Sequence, residues 1–271
     1  MSRRRRRLSV SEAGCVSSAF GEGRAALIPY LTGGYPSLDG AKEVGEAYIE
    51  AGADIVEIGV PFSDPLADGP VIQGTTKKAL ENGTDLEYCL DLASGFSGRV
   101  PVAFLIYYNV IFARGVERVL SEASDAGVSG LVIPDLPMDE SEEFSGFAAK
   151  AGVSFCPLAA PTSTDSRLDE IGAAATGFVY CVSVAGVTGA RDSLPPGAVE
   201  LLRRVKAKTS APAALGFGIG SPETAAEAAR EADGVIIGSK LMQIVDEGGP
   251  EAAGAWLGKV KDAMSSVGVR G

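Results

Sequence analysis

Eight apolar β runs, each followed by a helical run, place this chain in the α/β class and predict a single (β/α)8 TIM barrel with an extra N-terminal helix. Three observations carry that reading. The β runs are apolar on both faces, as strands of a helix-covered parallel sheet must be. The 271 residues match the roughly 250 that eight βα units occupy. Glycines placed to end helices recur at equal spacing, at Gly127, Gly152 and Gly177. A doubly wound open sheet is the alternative, but no G-x-G-x-x-G opens a helix to support it.

The chain starts MSRRRRRLSVSEAG. Residues 1–8 read as a disordered basic tail and residues 9–271 as the barrel domain. A signal peptide would need an apolar segment of about 7–15 residues here, and none follows. A first amphipathic helix is predicted over Ser9 to Phe20. Ala26–Leu31 is a buried strand, closed by the turn Thr32-Gly33-Gly34-Tyr35-Pro36. Ser37 caps a helix whose Leu38, Ala41, Val44, Tyr48 and Ile49 recur at helical spacing, and Gly52 ends it. The second strand runs through Ile55-Val56-Glu57-Ile58, with helices near Val71–Glu81 and Asp85–Phe96.

Val102–Tyr107 is the third strand, followed by a helix at Val116–Ala126. Gly130–Ile133 and the helix Ser141–Ala151 come next, then Val153–Leu158 with a helix at Ser166–Ala174. Gly177–Val182 leads through a long loop to a helix at Pro196–Lys208. Ala213–Gly216 precedes the helix Pro222–Glu231, and Gly234–Ile237 precedes helices near Lys240–Asp246 and Ala252–Met264.

A formal net charge of −11 argues against nucleic acid or an anionic membrane as partner. Backbone amides can still bind a phosphorylated small molecule. The chain has no histidine, which excludes Ser-His-Asp and Cys-His catalysis and the usual metal sites. Carboxylates, Tyr, Lys or Cys remain for proton transfer. Cys15, Cys89, Cys156 and Cys181 form no metal spacing, and free thiols in a reducing cytoplasm are the reading. The longest apolar run, Val102 to Ala113, falls well short of the roughly 20 residues of a membrane span.

The chemistry centres on Asp54 to Gln73, DIVEIGVPFSDPLADGPVIQ. Alternation puts Ile55, Glu57 and Gly59 on one face of the strand, with Val56 and Ile58 on the other. A carboxylate buried there is a structural acid satisfied by neighbours or a working group. Asp64 and Asp68 follow on a loop, where solvent is expected to keep their pKa values low. Asp64 is either a solvated turn residue or functional, and Asp135 in PDLP reads first as a turn residue. Tyr30, Tyr107 and Tyr180 lie near the same strand ends. No lysine ends a strand, since Lys240 falls inside a helix, so a Schiff-base mechanism is disfavoured. Glycine-rich turns at Gly186–Gly189, Gly216–Gly220 and Gly238-Ser239 suggest a phosphate cradle.

The run E-I-G-V-P-F-S-D-P-L-A-D-G-P from Glu57 to Pro70 resembles the signature of the tryptophan synthase alpha subunit family. Pro29–Thr32, Tyr107-Tyr108-Asn109, Pro134–Pro137, Ala185–Gly189, Gly216–Ile219 and Gly238-Ser239 agree in order, so the likeness spans roughly Ala26 to Glu247. It implies a lyase of tryptophan biosynthesis that cleaves indole-3-glycerol phosphate to indole and glyceraldehyde 3-phosphate. It further implies an alpha-beta-beta-alpha heterotetramer in which pyridoxal phosphate sits on the beta partner, with no cofactor or metal in this chain.

Under the resemblance Glu57 is the general acid–base, and Asp68 accepts a hydrogen bond from the indole N–H. Tyr180 neighbours Glu57. Tyr30, Leu105, Val132 and Ile236 line the indole pocket. Gly189, Gly218, Gly238 and Ser239 hold the phosphate, Asp64 and Pro65 lie at the partner interface, and Val184 to about Pro195 closes over the substrate. Val184 and Gly220 depart from the Arg and Ser of some members. A free-standing indole-glycerol-phosphate lyase and a non-catalytic barrel that activates a beta partner are the alternatives. A metal-dependent phosphosugar epimerase is a third, disfavoured by the absence of histidine.

Overall fold

The computed structural model describes residues 15–21, 23–182, 194, 196–216 and 218–267. Residues 1–14, with the basic tail and half of the expected first helix, lie outside them. Nine parallel strands are hydrogen-bonded in the order β5-β4-β3-β2-β1-β9-β8-β7-β6. They are β1 (Ala26–Thr32), β2 (Val56–Gly59), β3 (Val102–Leu105), β4 (Val128–Val132), β5 (Ser154–Phe155), β6 (Leu158–Ala159), β7 (Val179–Val182), β8 (Ala213–Gly216) and β9 (Gly234–Ile237).

The two ends of that order are halves of one predicted strand. Only Cys156 and Pro157 separate β5 from β6. Pro157 has no N–H to give a ladder, so regular pairing breaks there. The backbone still bridges both neighbours: Cys156 N–H donates to the Leu131 carbonyl (2.9 Å) and Tyr180 N–H to the Pro157 carbonyl (2.9 Å). The sheet therefore closes into an eight-stave barrel, as the sequence predicts.

Among the described residues ten helices cover it: α1 (Leu38–Glu50), α2 (Pro70–Glu81), α3 (Leu86–Phe96), α4 (Tyr108–Arg114), α5 (Val116–Asp125), α6 (Ser141–Ala151), α7 (Asp165–Ala174), α8 (Pro196–Lys208), α9 (Pro222–Glu231) and α10 (Ser239–Ser265). Ser37 caps α1 by accepting from Gly40 N–H, and Gly52 follows with φ +88°, both as expected. The two helices expected after β9 are one run broken at Gly249, where φ is 73° and ψ −172°.

Alternation along the strands builds two apolar layers. Ala26, Ile28, Ile55, Ala103, Val132, Phe178, Ala214 and Ile236 pack inside the barrel. Leu27, Leu31, Val56, Ile58, Phe104, Leu215, Val235 and Ile237 pack outward beneath the helices. At about 25 cal/mol per Å² of apolar surface removed from water, these layers dominate the folding free energy. One carboxylate also braces the wall: Asp54 accepts from Leu27 N–H (2.8 Å), Arg24 (2.8 Å) and Lys261 (2.7 Å), tying β1 to the C-terminal helix.

The expected helix over Ser9–Phe20 is corrected within the described residues. Only Val16–Ala19 winds, as one 3-10 turn at the N-terminal end of the strands. Val16 is fully buried there, and Phe20 stacks on Phe178 with ring centroids 5.6 Å apart. This turn also explains Gly177, whose expected role as a helix end is wrong. α7 stops at Ala174 and caps at Ala175. Gly177 lacks a side chain because a Cβ would stand 2.6 Å from Cys156 Sγ and 3.0 Å from Val16.

Candidate active site

One cavity opens at the C-terminal ends of the strands, and most of the residues singled out by sequence line it. Tyr30 (β1), Glu57 (β2), Leu105 (β3), Tyr180 (β7) and Ile236 (β9) form its floor and walls. Asp68 stands with Gly69, Val71 and Ile72 at the start of α2, facing Gly218, Gly238 and Ser239 after β8 and β9. Val132 is fully buried in the inner layer and is not among the lining residues. Gly189 and the expected closing segment from Val184 to Pro195 lie outside the described residues, apart from Leu194.

Glu57 pairs in register with Tyr30 on one side and Ala103 on the other. It is 1% exposed, and neither carboxyl oxygen has a hydrogen-bond partner among the described residues. A structural acid would have such partners, because an unsatisfied buried carboxylate is expensive. Burial first, and the nearby Asp68 charge second, push its pKa up to about 8. The side chain can therefore hold a proton at neutrality and release it to a substrate atom.

The expectation that solvent keeps Asp68 strongly acidic is corrected. Burial raises it to about 6, and the Tyr107 hydroxyl draws it back only in part. The cause is local. Tyr107 Oη accepts from Ala67 N–H (3.0 Å), which folds the loop back over the cavity, and Gln73 Nε2 donates to the Asp68 carbonyl (2.9 Å). The two carboxyls still differ in the expected sense, about 8 against about 6, so near neutrality Asp68 is the anionic member.

Both tyrosines are placed by glycines. A Cβ on Gly59 would collide with the Tyr30 hydroxyl, and one on Gly216 would meet the Tyr180 ring and hydroxyl at 2.6 Å. Tyr30 Oη lies 3.2 Å from Thr32 Oγ1, which lies 2.7 Å from Thr75 of α2. Burial, then the Glu57 charge, hold the Tyr180 hydroxyl well above its ordinary pKa, so Tyr180 stays protonated beside Glu57. Gly216→Ala is expected to cost about 1–3 kcal/mol through overpacking. Calorimetry should show the melting temperature several degrees lower; an unchanged melt would mean the ring moves freely.

The remaining candidates separate. Gly238 precedes α10 without any side-chain cap, whereas Ser221 closes a capping box with Thr224 on α9. The N-terminus of α10 thus lies at the cavity without a capping side chain among the described residues, as an anion site requires. Asp64 is exposed and bound to Ser63 Oγ (2.6 Å) beside Pro65, away from the cavity. Asp135 accepts from Tyr108 N–H (2.6 Å) at the start of α4, a turn role. Sequence reasoning passed over Lys240 and Gln243, which line the same cavity from the first turns of α10. Their signal was Gly238-Ser239 itself, since the next residues on that helix face the same mouth.

The sequence pattern described as tryptophan synthase alpha chain matches residues 16–264. A tryptophan synthase alpha chain from Roseiflexus sp. (strain RS-1) is 43% identical over 248 residues, 90% of this chain and 94% of the relative. One from Carboxydothermus hydrogenoformans is 47% identical over 226 residues, 83% of this chain and 85% of the relative. A solved Mycobacterium tuberculosis tryptophan synthase chain superposes with TM-score 0.85 at 36% identity, covering 95% of this chain and 98% of that one.

Proposed function

The chain belongs to the tryptophan synthase alpha chain family, and from that premise we propose that Glu57 and Asp68 carry the family's reaction in the cavity described above. Its role is that of the alpha subunit, a lyase of tryptophan biosynthesis that cleaves indole-3-glycerol phosphate to indole and glyceraldehyde 3-phosphate. The observation that carries the assignment is the buried Glu57 carboxyl with no hydrogen-bond partner among the described residues.

The steps follow from the site. Leu105 and Ile236, with the rings of Tyr30 and Tyr180, offer an apolar slot for the indole. Protonated Glu57 gives its proton to indole C3, which becomes tetrahedral and leaves a cationic ring nitrogen. Asp68 accepts the N–H hydrogen bond and stabilises that cation. The Glu57 carboxylate then takes the proton of the adjacent glycerol hydroxyl. That oxygen becomes the aldehyde carbonyl, the C–C bond breaks, and its electron pair returns to C3 to restore the indole. Glu57 finishes protonated, as it began.

Gly218, Gly238 and Ser239 hold the phosphate through backbone amides, and Gly189 joins them from the segment between β7 and α8. Val132 supports the slot from below rather than lining it. Asp64 and Pro65 lie on the face that meets the beta subunit in an alpha-beta-beta-alpha assembly. Exposed Leu66 (93%) and Phe112 (71%), from the loop after β2 and from α4, support that placement. Pyridoxal phosphate belongs to the beta subunit and none to this chain, and the protein works in the cytoplasm. Among the described residues no helix is long and apolar enough to cross a membrane.

Indole release from indole-3-glycerol phosphate, measured with and without the beta subunit, tests the reading. A rate that the beta subunit raises supports an alpha subunit. A high rate that it leaves unchanged supports the free-standing lyase, and no release in either case overturns both.

A further inference from the structure

Before any substrate arrives the cavity holds one negative charge near neutrality, on Asp68. Glu57 lines it too and adds a second negative charge once it has given up its proton, in a chain of net charge −11. A phosphate monoester adds up to two more negative charges. Backbone amides and a helix dipole supply only about half an elementary charge at a helix N-terminus. Among the described lining residues one side chain is cationic, Lys240, the second residue of α10.

Its surroundings single it out. Lys206, Lys208 and Lys261 each hold an aspartate within 3.0 Å. Lys240 is half-buried, yet among the described residues no carboxylate lies within ion-pair distance of it. A lysine partly withdrawn from water without a counter-ion is completed by an anionic ligand. Gln243 stands three residues further along α10 and lines the cavity too, so one helix face presents a cation and an amide beside uncapped Gly238. The orphaned Glu57 carboxyl in the same cavity independently marks it as a ligand site.

We propose that Lys240 is the fixed positive charge of the phosphate subsite, contacting the phosphate of substrate and product and offsetting its repulsion from Asp68 and from Glu57 once that carboxyl has given up its proton. This rests on the lyase reading and adds to it a charged determinant of affinity. The ammonium acts equally on bound substrate and transition state, so its removal raises KM more than it lowers kcat.

The test uses the complex with the beta subunit and compares wild type, Lys240→Met and Lys240→Arg. For Lys240→Met, KM for indole-3-glycerol phosphate should rise about tenfold, kcat should fall less, and competitive inhibition by inorganic phosphate should weaken about tenfold. Its KM should also lose most of the ionic-strength dependence shown by wild type. Lys240→Arg should stay within about threefold of wild type. Equal KM and equal phosphate inhibition in wild type and Lys240→Met would overturn the assignment, as would equal impairment of the Met and Arg variants. If Lys240→Met fails to fold, Lys240→Gln takes its place under the same criteria. Failure of the lyase reading looks different, since wild type itself would then release no indole.

Discussion

Glu57→Gln should lower the rate of indole formation by about 10²–10⁴-fold, the range that a positioned general acid–base supplies. The substitution keeps the side chain's shape and removes only its transferable proton. KM should therefore change much less than kcat, and single-turnover indole release measures the loss directly. The same residue sets the alkaline limb of wild-type activity. Because its pKa is raised to about 8, cleavage should decline as pH rises past that value. A Glu57→Gln protein as active as wild type would remove this carboxyl from the chemistry.

The second large effect is on stability, and its sign follows from linkage. Glu57 sits near 8 in the folded chain against an ordinary 4.5, so between those values the folded state binds the more protons. Stability then falls as pH rises through that window and levels off above it. The swing is on the order of 3–5 kcal/mol. Asp68, raised from 3.8 to about 6, adds a smaller decline of the same sign below pH 6. Calorimetry at pH 5 and pH 9 should show wild type losing ground to Glu57→Gln at the higher pH, by about 5–10 °C in relative melting temperature. A constant cost of burying the amide cancels in that comparison. A gap independent of pH would mean that the carboxyl reaches water.

Much of this was legible because local chemistry and fold agree. Ser37 and Gly52 bracket α1, and the bounds of α6, α8, α9, β8 and β9 coincide with their sequence patterns. Glu57 was legible because one acid interrupts an otherwise apolar strand. Other features depend on contacts that local patterning does not encode. α4 has Tyr107 at its N-cap with no side-chain cap and lies almost wholly within the largely apolar stretch Val102 to Ala113, so it was hidden beside β3. Asp68 looks solvated on a Pro- and Gly-rich loop, and contacts distant in sequence, such as the Tyr107–Ala67 bond, fold that loop back over the cavity. Gly177 looks like a helix end, and only the arrival of Val16 beneath the barrel explains it. Pro157 was the one missed signal in plain view, since a proline inside a central strand forecasts an interruption.

Among the described residues, Val16 and Phe20 stopper the end of the barrel opposite the cavity. The cavity at Glu57 opens at the other end, so a reactant or product passing through that mouth moves on the side of the barrel where Leu66 and Phe112 stand uncovered. Whatever docks on that side acquires custody of the traffic without touching the chemistry.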